Sequence, residues 1–305
     1  MSATFPPLGS TSPMADAPRV VLPLAASVFA GRAARLRQLA PGHAMEGFLL
    51  LMAELADAQQ RVLPLRDAGA TAASALAHSR EFGMPPMAAQ SHARDTTWLA
   101  DLHDILEQML GLPRAKPLHQ AVAALDAASL EALADRVLAS QTLDGDAAAT
   151  PLVGAALQVY FTRLAAALDV TAVMHVDVPG LCPVCATRPM ASVVRMGGGR
   201  DHLRYLACAL CGTEWNQARI QCSACRSEKS VGYLGRAGET PTRSLAQRAE
   251  TCDECHSYLK IFDQEQDPLV EPLADDLASL TLDLAVGDRG YARSGPNLLW
   301  HPGGG

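Results

Sequence analysis

Apolar positions between residues 44 and 168 recur every three or four residues. Met45, Phe48, Met52, Leu55 and Val62 fall on one stripe, and Trp98, Leu102, Ile105 and Met109 on another. Leu130, Leu133 and Val137 mark a third, and Val153, Leu157, Tyr160, Leu164 and Leu168 a longer fourth. This period predicts amphipathic helices, because side chains three and four apart share one helix face. The second stripe should stop at Gly111 and Pro113, a C-terminal Gly followed by a Pro that cannot continue a helix. From Leu269 the same spacing returns through Leu273, Leu277, Leu280 and Leu284, predicting one C-terminal helix before a Gly/Pro tail ending in "NLLWHPGGG".

Between these helical stretches the period changes. "SVVRM", "GGG" and "LRYLA" read as strand, turn and strand, and "SYLKIFD" as a further strand. The expected fold class is therefore α+β. An N-terminal all-helical domain precedes a small β-rich module that holds all eight cysteines as four Cys-x-x-Cys pairs, the pattern of two rubredoxin- or zinc-ribbon-like four-cysteine sites, and a C-terminal helix closes the chain. The boundaries read as a flexible leader over 1–20, a helical domain over 21–175, the tandem metal module over 179–263, and a C-terminal helix and tail over 264–305 that packs on the rest.

Composition narrows the classes. The 305 residues suffice for one large domain or two ordinary ones, and Ala and Leu dominate the helical part. A net charge of −7 gives no global attraction to nucleic acid or an acidic membrane. The charge is uneven: residues 181–260 carry eleven Lys/Arg against seven Asp/Glu, a balance of +4, and the rest of the chain −11. No stretch reaches the roughly 18 apolar residues of a membrane span. "RVVLPLAASVFAGRA" at 19–33 imitates a secretory signal, but a single basic residue precedes its apolar run. Four prolines of the leader lie before it, and it continues into "ARLRQLA" as a first helix would. We therefore expect no export and no stable membrane insertion.

The eight cysteines carry the chemistry. All fall into Cys-x-x-Cys pairs: Cys182/Cys185, Cys208/Cys211, Cys222/Cys225 and Cys252/Cys255. A tight turn between two cysteines aims both sulfurs at one point, so each pair is half of a tetrahedral four-thiolate site. The first and second pairs are separated by a hairpin turning at Gly197–Gly199, and only ten residues separate the second from the third. The simplest arrangement is two sequential sites, although interleaved and nested pairings also fit these spacings. Disulfides would need an oxidising compartment, and a chain of this size needs no stapling. Buried inert thiols do not come in spaced pairs, and a thioredoxin-like motif needs one pair in a βαβ setting.

Other readings are weaker. "CDECH" at 252–256 fits the pattern of covalent haem attachment. Haem would orphan one pair of an even set and would require export. His256 is more economically a residue just past a metal knuckle, donating to solvent or backbone. "MGGGR" lacks the Lys-Ser/Thr of a phosphate loop, and "GYLGRAGE", with Gly232, Gly235 and Gly238, reads as a turn region. His43, His78, His92, His103 and His119 show no ligand spacing and read as surface or satisfied core positions. No catalytic constellation stands out, so no catalytic residue is assigned.

Four thiolates suit iron or zinc, and sequence does not decide between them. Two divalent ions on eight thiolates add −4, which cancels the module's +4 and argues against nucleic-acid binding.

Five segments in order, "LCPVCATRPMASVV", "LRYLACALCGTEW", "RIQCSACRSEKSVGYL", "AETCDECHSYLKIFDQEQD" and "DDLASLTLDLAVGDRGYARSGPNLLW", resemble the formate dehydrogenase accessory protein FdhE family. The likeness is strong over 179–300; "GRAARLRQLAPGHAMEGFLLLMAELADAQ" is compatible but less specific. All four of the family's Cys-x-x-Cys pairs are present, so the resemblance carries a ligand role to all eight cysteines. Ala186 departs from the Gly usual after the first pair, at a cost to knuckle geometry and not to ligation. The resemblance implies a non-catalytic, cytoplasmic maturation factor that binds the catalytic subunit of respiratory formate dehydrogenase before export. It tilts the metal towards iron in two mononuclear sites, with zinc as the alternative occupant. Oligomeric state is left open, a homodimer included. The competing class is a zinc-ribbon adaptor or nucleic-acid-binding protein with structural zinc.

Overall fold

A computed structural model describes residues 17–174, 178, 180–235 and 246–300. The leader over 1–16, Gly238 and the tail over 301–305 lie outside the described residues.

Seven helices form the N-terminal part: α1 (Val28–Leu39), α2 (Glu46–Val62), α3 (Gly69–Phe82), α4 (Thr97–Gln108), α5 (Lys116–Ala123), α6 (Ala127–Ala139) and α7 (Thr150–Ala166). The expected stripes lie on α2, α4, α6 and α7. Met52, Leu55 and Val62 are buried on α2, and Trp98, Leu102 and Ile105 on α4. The stop after α4 is as expected, with Gly111 in the left-handed region at φ +83°. α6 opens at Asp126, whose carboxylate accepts the Ser129 N–H at 2.8 Å, satisfying one of the orphan donors of a first turn.

α7 is the axis of this part. Residues 150–165 are all buried, so it shows no solvent face, and α2, α3, α4, α5 and α6 pack around it. Its Gly154 is needed for the chain's own end. A Cβ there would stand 2.4 Å from the Leu298 carbonyl oxygen, because the C-terminal segment crosses at that point.

The sheet follows. β2 (Ala191–Arg195), β3 (Leu203–Ala207) and β4 (Glu214–Asn216) make one antiparallel meander. β5 (Val231–Leu234), β6 (Gln247–Cys252) and β7 (Ser257–Asp263) make a second. The two join where β2 runs parallel to β7, Ala191 opposite Lys260 through Val194 opposite Asp263. β1 (Val20–Val21) extends the far edge beside β4, Val20 opposite Trp215. β8 (Ala292–Arg293) pairs with β7.

Three expectations change here. The leader was expected to stay loose through residue 20. Instead, the Tyr205 hydroxyl donates to the Pro18 carbonyl at 2.7 Å and the Asn216 N–H to the Arg19 carbonyl at 2.9 Å, so Pro18 and Arg19 are tied to the sheet just before β1. "GYLGRAGE" was read as a turn region, but Gly232 lies within β5, opposite Thr251. The single C-terminal helix is two short ones, α8 (Pro272–Ala278) and α9 (Leu280–Gly287). Ser279 breaks the run. Its hydroxyl donates back to the Asp275 carbonyl at 2.7 Å, while the Lys260 ammonium takes the Asp276 carbonyl at 2.8 Å. Leu284 is consequently turned out to solvent, 70% exposed.

One core runs through helices and sheet. Phe29 of α1, Leu157 of α7, Val193 of β2, Phe262 of β7 and Leu277 of α8 belong to the same buried cluster, together with four of the cysteines. Buried ions fasten the C-terminal helices to it. Arg35 of α1 grips Asp275 at 2.6 and 3.0 Å and also pairs with Asp267. Lys260 of β7, fully buried, meets Asp276 at 2.8 Å and Asp283 at 2.6 Å, and Arg293 meets the same two carboxylates at 2.6 and 3.2 Å. Two cations and two anions close a neutral square, the condition under which buried charge is tolerated.

Candidate metal centres

Each Cys-x-x-Cys pair is a knuckle at the start or the turn of a meander. Cys182/Cys185 precede β2 and Cys208/Cys211 link β3 to β4; Cys222/Cys225 precede β5 and Cys252/Cys255 link β6 to β7. The two meanders are thus repeats of one plan: knuckle, hairpin, knuckle, strand.

The knuckles share a backbone recipe. The residue after the second cysteine is left-handed in all four: Ala186 at φ +59°, Gly212 at +70°, Arg226 at +63° and His256 at +53°. In three of them the first cysteine's N–H donates to the carbonyl five residues on, Cys182 to Thr187 at 2.9 Å, Cys208 to Thr213 at 3.0 Å and Cys222 to Ser227 at 2.9 Å. The turned backbone aims amide protons at sulfur. The Leu210 and Cys211 N–H groups point at Cys208 Sγ, and the Ala224 N–H at Cys222 Sγ, all at 3.4 Å.

The sulfurs gather into two clusters, Cys182/Cys185/Cys208/Cys211 and Cys222/Cys225/Cys252/Cys255, each with its ligand atoms within 4.8 Å of one another. The grouping is sequential; interleaved and nested pairing are not what the fold builds. Across each cluster the first cysteine of one knuckle faces the last of the other. Cys182–Cys211 is 3.6 Å and Cys185–Cys208 3.4 Å; Cys222–Cys255 is 3.7 Å and Cys225–Cys252 3.6 Å. Four thiolates on a metal with bonds of about 2.3 Å would stand about 3.8 Å apart, so both clusters have the dimensions of a tetrahedral site. Both can hold a metal ion.

Electrostatics makes the same demand. In the first cluster burial and the neighbouring sulfurs push the Cys182 and Cys211 thiols well up. Burial opposes ionisation of Cys208 too, but hydrogen bonds from Cys182, Cys185, Cys211 and Thr187 outweigh it and bring that thiol well down. Four thiolates crowded into one buried site repel one another unless a cation joins them. In the second cluster desolvation and the neighbouring sulfurs raise Cys225 to about 12. Cys255 falls to about 7, because the Ser257 hydroxyl and N–H outweigh its desolvation.

Residues beyond the cysteines complete the sites. A hydroxyl stands two places after each pair. Thr187 Oγ1 lies 3.1 Å from Cys185 and 3.2 Å from Cys208, Thr213 Oγ1 3.2 Å from Cys211, and Ser257 Oγ 3.0 Å from Cys255. Ser227 differs, its hydroxyl accepting the Lys229 N–H at 3.4 Å. The repeated Thr or Ser was legible as "CPVCAT", "CALCGT", "CSACRS" and "CDECHS", a signal that counting cysteines alone passes over. The helical part also reaches in. Met87 and Ala89 N–H groups donate to the Val184 and Cys185 carbonyls at 2.9 Å, and Gln158 of α7 donates to the Ala209 carbonyl at 2.7 Å.

His256 is exposed, with its ring 6.3 Å from that of Tyr291 and its carbonyl accepting the Ala292 N–H at 2.8 Å. With Cys252 and Cys255 engaged by Cys222 and Cys225, no spare pair remains there for haem. "MGGGR" is the β2–β3 turn, with Gly197, Gly198 and Gly199 all at positive φ. His43 is satisfied by the Ala278 carbonyl at 3.0 Å. His119 departs from the satisfied reading, since its Nε2 is buried without a hydrogen-bond partner. His103 comes within 4.8 Å of Asp104 and Glu107, an exposed carboxylate group of a kind common without any ion.

A cavity of about 990 Å³ opens between the helical part and the first cluster. Ala88, Ser91 and Leu138 line its helical side, Leu210 its knuckle side, and Leu298 and Trp300 the side of the C-terminal segment. Among the described residues no helix is long and apolar enough to cross a membrane.

The repeats and their joint coincide with known family units. Models described as FdhE N-terminal, central domain and C-terminal domain match residues 17–177, 181–219 and 220–300, and the 219/220 boundary falls between the two meanders. A Pseudomonas aeruginosa protein FdhE homolog is 39% identical, with all of both chains covered. The Salmonella dublin protein FdhE is 35% identical over 94% of this chain and 93% of its own. The crystal structure of the FdhE protein from Pseudomonas aeruginosa superposes with a TM-score of 0.82 at 38% identity, covering 94% of this chain and 100% of that one. With two four-cysteine clusters on this fold and matches spanning both halves, the chain belongs to the FdhE family.

Proposed function

We propose that this chain is a non-catalytic cytoplasmic accessory factor for the assembly of respiratory formate dehydrogenase, and that it contacts the catalytic subunit before export. Cys182, Cys185, Cys208 and Cys211 hold one metal ion in this reading, and Cys222, Cys225, Cys252 and Cys255 the other. Iron is the assigned metal and zinc the alternative; iron in such a site supplies a one-electron couple, and zinc a structural clip. The observation that carries the reading is the pair of four-sulfur clusters, each within 4.8 Å and with facing sulfurs 3.4 to 3.7 Å apart, on a fold matched along its length by FdhE relatives.

The chain's own residues prepare the sites. The left-handed knuckle residues turn the backbone so that N–H groups face sulfur, and Thr187 and Ser257 place hydroxyls that can donate to thiolate sulfur, while the Thr213 oxygen accepts from the Cys211 thiol. The organisation into helical domain 21–175, metal module 179–263 and C-terminal segment 264–305, after a leader over 1–20 whose last residues join the sheet, is part of this proposal. The cavity beside the first cluster is assigned to the client, since crevices between packed layers are common binding places.

Anaerobic purification with metal analysis and visible absorbance tests the metal: two irons per chain with a coloured ferric–thiolate band are expected, whereas zinc is colourless. Cys222→Ser with Cys225→Ser should lower the content from two ions towards one and leave the first site's spectrum intact. A tagged catalytic subunit should recover the chain from cells, and recovery should weaken when both clusters are disrupted. Full membrane formate dehydrogenase activity in a deletion strain under anaerobic respiration would overturn the assignment. Stoichiometric zinc with steeply salt-dependent nucleic-acid binding would favour the zinc-ribbon adaptor.

A further inference from the structure

We propose that the two clusters have different tasks: the first is a sealed fastener of the fold, and the second exchanges its metal with an outside thiolate ligand through Cys225 and Cys255. This rests on the reading that both clusters hold a metal.

The repeats are alike in plan and unlike in surroundings. Cys182, Cys185 and Cys211 are 0% exposed and Cys208 5%, and all four lie in the core shared with the helices. Three elements cover that cluster. The 87–89 loop is bonded to the first knuckle, α7 is bonded through Gln158 to the second, and Pro23 packs on Gly212. Gly180 packs on the first knuckle of the second cluster and Ala292 is bonded to its second, but among the described residues nothing covers its outer side. Cys222 and Cys252 are buried, whereas Cys225 and Cys255 are exposed, each the last cysteine of its knuckle. Arg226, Glu228, Asp253, Glu254 and His256 around them are exposed as well. An incoming ligand therefore has a free approach to two of the four metal–sulfur bonds, and to none in the first cluster without opening the fold.

The exchange balances as ligand substitution. An incoming thiolate forms a bond to the metal as the metal–Sγ bond of Cys255 breaks, and a second thiolate displaces Cys225 in the same way. Each released cysteine takes up the proton given up by the incoming thiol. The metal keeps its oxidation state, and no electrons are transferred. Cys222 and Cys252, still bound, keep the ion in place until the acceptor holds it with two sulfurs. The partner class is accordingly a dithiol: a small one, or a protein with two closely spaced cysteines.

The test uses the full chain loaded with two equivalents of zinc and challenged with dithiothreitol, with 4-(2-pyridylazo)resorcinol reporting released metal. One equivalent should leave at least about tenfold faster than the other, the ratio expected when one route is open and the other needs local unfolding. Iodoacetamide on the loaded chain should label Cys225 and Cys255 first, by peptide mapping. The Cys222→Ser, Cys225→Ser variant should lose the fast phase and keep the slow one. Two ions leaving at one rate, or a fast phase that persists in that variant, would overturn the proposal alone. A chain that takes up no zinc or iron would sink the metal reading itself, and this proposal with it.

Discussion

Gly180, the second residue before Cys182, lies directly against the carbonyl of Ser223, the residue after Cys222: a Cβ on it would stand 1.9 Å from that oxygen. Its φ of +63° is a conformation glycine adopts freely. The first knuckle of one repeat is thereby packed on the first knuckle of the other. Gly180→Ala should cost about 3 kcal/mol or more, since it combines a left-handed Ala with a backbone clash. Thermal unfolding of the metal-loaded chain measures it; a melting temperature within a degree of the parent's would show that the contact is dispensable.

The four left-handed knuckle positions permit a matched pair of changes. Ala186 sits at φ +59°, where a non-glycine residue loses about 1–2 kcal/mol. Glycine removes that strain and returns about 0.5–1 kcal/mol through the freer unfolded chain. Ala186→Gly should therefore stabilise by about 0.5–1 kcal/mol by that difference. Gly212→Ala should do the reverse and more, because its Cβ would also meet Pro23 at 3.2 Å. Denaturant midpoints moving in the same direction for both variants would contradict the strain account.

How much of this was legible depended on whether a local rule sufficed. Residues around α2, α4, α6 and α7 carry large apolar groups at helical spacing, so their helices could be read directly. α3, "GATAASALAHSREF", buries Ala72 and Ala75, and side chains that small leave no stripe. β4 is three residues long, and β5 contains Gly232. Neither has the alternation that marks a strand, and each is held by its neighbours. The break at Ser279 depends on Lys260, nineteen residues away, and no local pattern announces it. The cysteine pairs were plain, because a metal knuckle is local. Which cluster would be sealed was not, since Gln158 and the 87–89 loop reach the first site from distant parts of the chain.

The buried square of Lys260, Asp276, Asp283 and Arg293 gives a third prediction. Asp276→Asn leaves the buried Lys260 and the half-buried Arg293 with Asp283 as their remaining carboxylate, at an expected cost of about 3 kcal/mol. Burial works against the Asp276 carboxylate, but Arg293 and Lys260 outweigh it and hold its pKa below the usual aspartate value. Protons then bind the unfolded chain more readily there. The stabilisation is complete above the unfolded value and is lost as pH falls through the lower folded one. In denaturant titrations from neutral to acid pH, the parent should lose this contribution and the Asn variant should not. Equal acid slopes in the two proteins would remove Asp276 from the account of acid stability.

The last prediction concerns the cavity assigned to the client. Ser91 lies on its rim and is exposed, and its side chain belongs to no buried network. Ser91→Trp would set an indole across an opening whose walls are largely small or apolar, such as Ala88, Leu138 and Leu210. An exposed rim change should leave stability within about 0.5 kcal/mol and the metal content unchanged. Recovery by a tagged catalytic subunit should nevertheless fall severalfold, because bulk at the mouth of a binding crevice excludes the group that fills it. A conservative Ser91→Ala change at the same place should bind normally, which separates lost volume from a lost hydroxyl. If the Trp variant keeps its metal and its fold and is recovered as well as the parent, the client is held elsewhere on the surface.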